Sequence, residues 1–180
     1  MSETDAQAMT GLHAVEAGTQ GGRSGTRAQW LATLPAPLTF AGCLGGGLLL
    51  QQLLALPVYD GRWVPALQTA GGLLATAGLL LSLASLGLFA RERTTILPSG
   101  AASRLVVHGP YRYSRNPMYV SLVAAYLGLA MYLRAPWALP LMALPLLQLE
   151  RVMIPFEESR MHALFGQAYL DYRARVRRWL

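Results

Sequence analysis

Long runs without any charged residue constrain this chain more than any other feature of its sequence. Residues 28–59 contain no charged side chain, and residues 64–90 form a second such run. As a helix, an apolar segment of about 20 residues crosses the hydrocarbon core of a membrane, which is about 30 Å thick. Residues 38–58 have this length within the first run. The two runs therefore predict two transmembrane helices, joined by a short polar turn at residues 60–62.

Two shorter uncharged segments, residues 117–133 and 137–149, follow on either side of a turn at Arg134. They predict a helical hairpin whose second arm is kinked by Pro140 and Pro145. From about residue 156, apolar and charged residues recur at spacings of three and four, which predicts an amphipathic helix at the membrane interface. The expected fold class is all-α: a polytopic membrane helical bundle with four to five membrane-embedded helices and a C-terminal interfacial amphipathic helix.

The charged residues support a membrane location and predict an orientation. Only 13% of residues are charged, against about 25% in a typical soluble domain. All 15 basic residues are Arg, and 11 of them lie in residues 91–116 or after Glu150. Because cytoplasmic loops carry the excess of positive charge, both termini are expected in the cytoplasm. The absence of Lys suggests a GC-rich bacterial genome, and hence a bacterial inner membrane.

The same distribution argues against other classes of partner. The net charge of +6 is compatible with nucleic-acid binding, but the Arg residues lie between apolar runs, so we expect no nucleic acid. Cys43 is the single cysteine, and neither His13 nor His162 has a partner at metal-ligand spacing, so we expect no metal. Residues 1–28 are polar and Gly-rich and are expected to form a disordered tail before a membrane domain over residues 29–180.

The stretch HGPYRYSRNPMY, residues 108–119, has features of a binding site. Asn116 followed by Pro117 predicts a capped helix start. Unpaired N–H groups at such a start suit a carboxylate or phosphate. Aromatic faces that could hold a cation come from Tyr111, Tyr113 and Tyr119. The alternative is an ordinary helix start with Arg and Tyr as interface anchors.

Two adjacent carboxylates, Glu157 and Glu158, lie close to the apolar hairpin. Such a pair is costly near a membrane unless it faces water, a cation or a cavity. The alternative is a solvated first helical turn, where acidic residues favour the helix dipole. Four C-terminal arginines are expected to meet anionic lipid headgroups: Arg173, Arg175, Arg177 and Arg178.

Residues 94–180 resemble the isoprenylcysteine carboxyl methyltransferase and phospholipid methyltransferase superfamily of integral membrane enzymes. The resemblance runs through Thr94-Thr95, LVVHGPYRYSRNPMY, Glu157-Glu158, Phe165-Gly166 with Tyr169 and Tyr172, and the C-terminal RVRRW. It implies a compact helical bundle that binds S-adenosylmethionine at the cytoplasmic face, within residues 94–180. It also implies methyl transfer to a lipid-like or amphiphilic small-molecule acceptor, and membrane lipids are expected as further partners.

The resemblance implies a set of site residues as well. The cofactor-binding positions carried over are Ser103, Arg104, Leu105, Val106, His108, Gly109, Tyr111, Asn116, Pro117, Met118, Tyr119 and Glu157. The candidate catalytic residues are Arg151 and Glu158. Two positions depart from the family pattern. Asn116 stands where many members have His, and Met153 stands where an Arg often precedes the glutamates, so Arg151 is the nearest substitute.

The titratable residues of this predicted pocket favour one class of acceptor. It contains no Lys and no Cys, and His108 is its only ordinary group that titrates near neutral pH. A carboxyl of pKa about 3.3–3.7 is ionised at pH 7, whereas an amine of pKa near 8 must first lose a proton. Carboxyl O-methylation is therefore expected. The alternatives are N-methylation of a phospholipid or other amine, and a non-catalytic membrane protein whose Arg-rich segments bind anionic lipid.

Overall fold

The computed structural model describes residues 35–91 and 105–180, and every regular element within these ranges is helical. The expected all-α class is thus confirmed for the described residues. The predicted tail, residues 1–28, lies outside them. The helices are α1 (Ala36–Leu53), α2 (Val64–Arg91), α3 (Pro117–Tyr132), α4 (Ala138–Phe165) and α5 (Gln167–Arg175), with a 3-10 turn at Gly109–Arg112 between α2 and α3.

Two of these helices, α2 and α4, are long and apolar enough to cross a membrane, and each has 28 residues. Helix α1 has 18 residues and ends at Leu53, short of the predicted end at residue 58, with Gln51 and Gln52 in its last turn. Helix α3 is apolar but has only 16 residues. Of the two predicted transmembrane helices, α2 therefore has the length and composition to cross a membrane, whereas α1 does not reach its predicted length. Helix α4 has that length as well, because it continues past the predicted hairpin arm.

Small residues let α2 and α3 approach until their backbones touch. A Cβ atom on Gly71 would lie 2.6 Å from the main-chain oxygen of Gly128, and one on Gly78 would lie 2.8 Å from that of Ser121. A side chain at either position would force the helices apart. These glycines thus serve the close packing that membrane helices use in place of a hydrophobic driving force.

Helix α1 contains three consecutive glycines, residues 45–47, and one of them packs closely against another described helix. A Cβ atom on Gly47 would lie 2.5 Å from the Cα atom of Ala138, so α1 and α4 touch there. Gly45 and Gly46 have no described atom within 4 Å of such a Cβ. Close packing of α1 therefore depends on one glycine of the three.

The core lies between α1, α3 and α4. The ring of Phe40 packs edge-to-face against that of Tyr126, with centroids 5.9 Å apart. The Tyr126 hydroxyl donates to the main-chain oxygen of Ala138 at 2.6 Å, so the buried tyrosine leaves no unsatisfied donor. Leu149 and Ile154 of α4 are fully buried in the same cluster.

Helix α4 corrects the expected boundary between the hairpin and the amphipathic helix. The predicted arm ends at residue 149 and the next helix begins near 156, yet the chain stays helical from Ala138 to Phe165. A π-helical segment, Leu149–Met153, joins the two parts, and Pro155 lies in the first turn of the α-helical segment after it. Proline has no N–H to donate to the preceding turn, and the departure from regular α-helical hydrogen bonding lies directly before it. The helix ends at Gly166, whose φ is +51°, so the predicted amphipathic helix is divided between α4 and α5.

The turns at one end of the bundle are held by a group of polar side chains, which we call the hairpin-turn cluster: Gln51, Tyr59, Gln68, Arg134 and Trp137. Arg134 donates to the main-chain oxygen of Tyr59 at 2.8 Å, and Gln51 donates to that of Arg134 at 3.2 Å. Gln68 and Trp137 donate to main-chain oxygens at 2.9 Å each. The α1–α2 turn is thereby fastened to the α3–α4 turn.

Candidate functional site

The 3-10 turn Gly109–Arg112 places a buried tyrosine against the end of α2. Gly109 has a φ of +60°, a left-handed conformation that glycine adopts without steric cost. The turn directs Tyr111 inward, where its ring packs edge-to-face against Phe89 with centroids 5.3 Å apart. Burial, together with the nearby Tyr172 and Glu157, raises the pKa of the Tyr111 phenol. Tyr111 is therefore a neutral phenol at physiological pH.

Helix α3 begins with Pro117, as predicted, but Asn116 does not cap it with its side chain. The Asn116 amide nitrogen donates instead to the main-chain oxygen of Arg178 at 3.0 Å. The main-chain N–H of Asn116 is satisfied by the hydroxyl of Ser114 at 3.1 Å. The predicted side-chain cap is thus wrong: the Asn116 side chain binds the main-chain oxygen of Arg178 instead.

Tyr119, one turn into α3, reaches Glu157 of α4. Its hydroxyl donates to Glu157 Oε1 at 2.5 Å, and both residues are partly buried. We call this contact the Tyr119–Glu157 pair. Among the described residues, none donates to the other carboxylate oxygen, Oε2. The structure thus joins three predicted site residues, Tyr111, Tyr119 and Glu157, in one electrostatic cluster.

Glu158, the second glutamate, faces two arginines. Its carboxylate lies 3.0 Å from Arg115 and accepts from Arg178 at 2.9 Å and 3.2 Å, with a side chain that is only 12% exposed. Arg178 also pairs with Glu150 at 3.1 Å, and Trp179 donates to the same carboxylate. Hydrogen bonds and charge from both glutamates raise the pKa of Arg178. We call this group, Arg115, Glu150, Glu158, Arg178 and Trp179, the C-terminal clasp.

The clasp corrects the expectation that Arg178 meets lipid headgroups. Its guanidinium is engaged by two carboxylates of α4 within the protein. Arg173, Arg175 and Arg177 are exposed, so the expectation stays a prediction for these three.

Helix α5 supports the site from the other side. The Tyr172 hydroxyl donates to the main-chain oxygen of Tyr111 at 2.8 Å, and burial raises the Tyr172 pKa to about 12. Tyr169 is also buried, with its ring centroid 6.3 Å from that of Tyr172. The resemblance includes both tyrosines, but the sequence alone does not show that Tyr172 holds the Gly109–Arg112 turn. Their spacing of three residues indicates only that the two tyrosines lie on one helix face.

The remaining predicted site residues are distributed around this cluster. Val106 is buried, Leu105 and Met118 are partly buried, and His108 is exposed. Ser103 and Arg104 lie outside the described residues. Arg151 is exposed on the π-helical segment of α4. Over residues 35–91 and 105–180, no three His, Cys, Asp or Glu side chains are grouped as metal ligands would be, and the expected absence of a metal stays a prediction.

Two comparisons with known proteins find similar sequences. The sequence model of the phospholipid methyltransferase family matches residues 67–168. The Protein-S-isoprenylcysteine O-methyltransferase of Tribolium castaneum is 35% identical over 72 residues, which are 40% of this chain and 26% of that enzyme. The chain thus matches about a quarter of the length of this curated relative. No solved structure matches the chain.

The family match contains the Tyr119–Glu157 pair, the Gly109–Arg112 turn and Glu158, whereas Arg178 and Trp179 lie beyond its end. Because the match covers more than half of the chain and includes the LVVHGPYRYSRNPMY stretch and the glutamate pair, it confirms that resemblance. This chain belongs to the phospholipid methyltransferase family.

Proposed function

We propose that this protein transfers a methyl group from S-adenosylmethionine to an amphiphilic or lipid-like acceptor at a membrane. Family membership supports methyl transfer. The observation that supports particular residues is the Tyr119–Glu157 pair, which lies close enough to Tyr111 for Glu157 to raise the pKa of its phenol. A carboxylate with one oxygen available and two tyrosine rings can accept hydrogen bonds and face a cation in the same small volume.

The chemistry of these side chains fits S-adenosylmethionine. Glu157 Oε2, to which no described residue donates, would accept from the ammonium or a ribose hydroxyl of the cofactor. The rings of Tyr111 and Tyr119 would face its sulfonium. The proposed surroundings are Ser103, Arg104, Leu105, Val106, His108, Gly109, Asn116, Pro117 and Met118. When bound, the cofactor supplies an activated methyl group on a positively charged sulfur.

The residues of the chain would act mainly by alignment. Displacement at a methyl carbon requires the acceptor atom, the carbon and the sulfur to lie in line, and proximity and orientation can supply much of the rate enhancement. The 2.5 Å hydrogen bond fixes the Glu157 carboxylate against Tyr119. Tyr111 is itself buried, and we propose that it helps exclude water from the pair. We propose that the exposed Arg151 meets an anionic acceptor and that Glu158 acts through its contacts in the clasp.

We propose a carboxylate as the acceptor group. The known relative carries out O-methylation, by its name, and a carboxylate needs no general base because it is already ionised at neutral pH. To test this, the detergent-solubilised protein is incubated with labelled S-adenosylmethionine and an S-prenylated N-acetylcysteine. We expect a rate that is nearly flat from about pH 6.5 to 9 and a methyl group that mild alkali releases as methanol.

N-methylation of a phospholipid amine is the second candidate, because the matching family model describes phospholipid methyltransferases. Phosphatidylethanolamine replaces the prenylated acceptor in a parallel assay. An alkali-stable methyl group and a rate that rises about tenfold per pH unit would favour this candidate over the carboxylate. A protein that binds no S-adenosylmethionine in detergent would instead favour the non-catalytic alternative, in which Arg-rich segments bind anionic lipid.

We further propose a membrane domain over residues 29–180, with four to five membrane-embedded helices, an interfacial C-terminal segment and both termini in the cytoplasm of a bacterium. The support is that 13 of the 15 Arg residues lie on one side of the proposed topology. Reporter fusions at Asp60 and at the C-terminus are expected to report opposite compartments. The same compartment for both would contradict the topology.

A further inference from the structure

The last residues of the chain cross the start of α3 and bind it through main-chain oxygens. The N–H of Arg115 donates to the oxygen of Arg177 at 2.9 Å. The oxygen of Arg178 accepts from the Asn116 amide at 3.0 Å and from the Ser114 hydroxyl at 3.3 Å. These three bonds fix the residues that lead into α3, on which Tyr119 follows one turn later.

The side chain of Arg178 fastens the same segment to α4. Its guanidinium meets Glu158 through two nitrogens and Glu150 through a third contact. Two-point contacts between a guanidinium and a carboxylate are strong and geometrically specific. Glu158 is only 12% exposed, so its negative charge would destabilise the fold without the cationic side chains of Arg115 and Arg178. Glu158 is also the immediate neighbour of Glu157.

We infer that Arg178 is a positioning residue for the methyl-donor site. Its carbonyl holds the start of α3, its guanidinium holds α4 beside Glu157, and so it sets the distance across which Tyr119 and Glu157 meet. The inference rests on the proposed function, since it is the Tyr119–Glu157 pair that we propose to bind the cofactor. It extends beyond the family match, which ends at residue 168.

The first test measures the affinity of the full-length protein in detergent for S-adenosylhomocysteine, by titration calorimetry. Arg178→Gln is expected to raise Kd about tenfold. Arg178→Lys is expected to recover part of the loss, because an ammonium keeps the charge but not the two-point contact. Arg175→Gln is the matched control: it removes the same charge from an exposed side chain in the same segment. An unchanged Kd with a reduced binding stoichiometry for Arg178→Gln would mean a purely structural role and would overturn the inference.

The second test does not depend on the cofactor. Amide hydrogen exchange over residues 115–119 is expected to be faster in Arg178→Gln than in Arg175→Gln, and equal exchange would overturn the inference. If the unaltered protein does not bind S-adenosylhomocysteine, the proposed function fails, while this exchange comparison still decides whether Arg178 holds the start of α3. If Arg178→Gln does not fold, Arg178→Lys and Glu150→Gln provide the same comparison with milder changes.

Discussion

Polar side chains join the helices at both ends of the bundle, but they bind different kinds of partner. In the hairpin-turn cluster, Arg134, Gln68 and Trp137 all donate to main-chain oxygens. At the opposite end, α3 and its preceding loop also contact carboxylates of α4: Tyr119 donates to Glu157, and Arg115 forms an ion pair with Glu158 at 3.0 Å. The site end thus adds partly buried carboxylates to its main-chain acceptors, such as the oxygens of Tyr111 and Arg178.

The different acceptors indicate different roles: the hairpin-turn cluster stabilises the fold, and the end with the partly buried carboxylates is the candidate functional site. Every residue has a main-chain oxygen, so the hairpin-turn cluster requires only side-chain donors that are long enough to reach one. These hydrogen bonds contribute to the stability of the fold. A carboxylate taken partly out of water is costly unless partners or a ligand compensate it, so partly buried acids mark candidate functional sites. Asp60, the acid at the hairpin-turn end, is 87% exposed and lies 3.6 Å from Arg134, an ion pair of little expected value.

The largest effect on cofactor affinity is expected at Glu157. Glu157→Ala removes the acceptor that we propose for the ammonium or ribose of the cofactor. A lost hydrogen bond to a charged group costs about 1.5–3 kcal/mol, so Kd for S-adenosylhomocysteine should rise about tenfold to a hundredfold. Calorimetry on the detergent-solubilised protein measures the change.

Asp60→Ala is the matched control for Glu157→Ala, because it removes the same charge at the other end of the bundle. We expect it to leave the affinity unchanged. Equal losses of affinity in the two variants would mean that the two ends do not differ in the way that we propose.

The sequence predicts the helices better than the contacts between them. The long uncharged run makes α2 predictable, and Pro117 makes the start of α3 predictable. The Asn116 cap is mispredicted because its amide meets the main-chain oxygen of Arg178, 62 positions away. The lipid contact of Arg178 is mispredicted because its guanidinium meets Glu150 and Glu158 of α4. Local spacing carries no information about such a contact.

The site shows the same limit. The resemblance points to Tyr119 and Glu157, and the structure brings them within a hydrogen bond. Glu150 and Glu158 are eight residues apart, and both bind the guanidinium of Arg178. A π-helical segment, which the sequence does not predict, lies between them. The clasp is therefore visible only in the folded chain.

Arg134 provides the corresponding test of the hairpin-turn cluster. Arg134→Ala should lower the free energy of unfolding by about 1–3 kcal/mol, because it leaves the carbonyl of Tyr59 without its donor. Affinity of the folded protein for S-adenosylhomocysteine should not change. Denaturation in detergent and calorimetry on the same samples measure the two quantities.

Arg134→Gly serves as the internal comparison, since the φ of Arg134 is +55°, a conformation that costs a non-glycine residue about 1–2 kcal/mol. The glycine variant loses the same hydrogen bond but relieves this strain, so it should be more stable than the alanine variant. A loss of cofactor affinity in either variant would contradict the assignment of this end to support alone.

The smallest effect is expected at Tyr172, a hydrogen bond to a main-chain oxygen at the site end. Tyr172 has a pKa of about 12 in the folded protein and about 10 when unfolded, so folding favours its protonated form. Its contribution is fully present below pH 10 and is lost as the pH rises from 10 to about 12. Tyr172→Phe should therefore flatten the fall in stability over this range and cost about 0.5–1.5 kcal/mol below it. Tyr113→Phe, at a side chain 70% exposed, is the control and should change neither quantity. If Tyr172→Phe cost no stability below pH 10, the bond to Tyr111 would not be a support of the kind found at the hairpin turns.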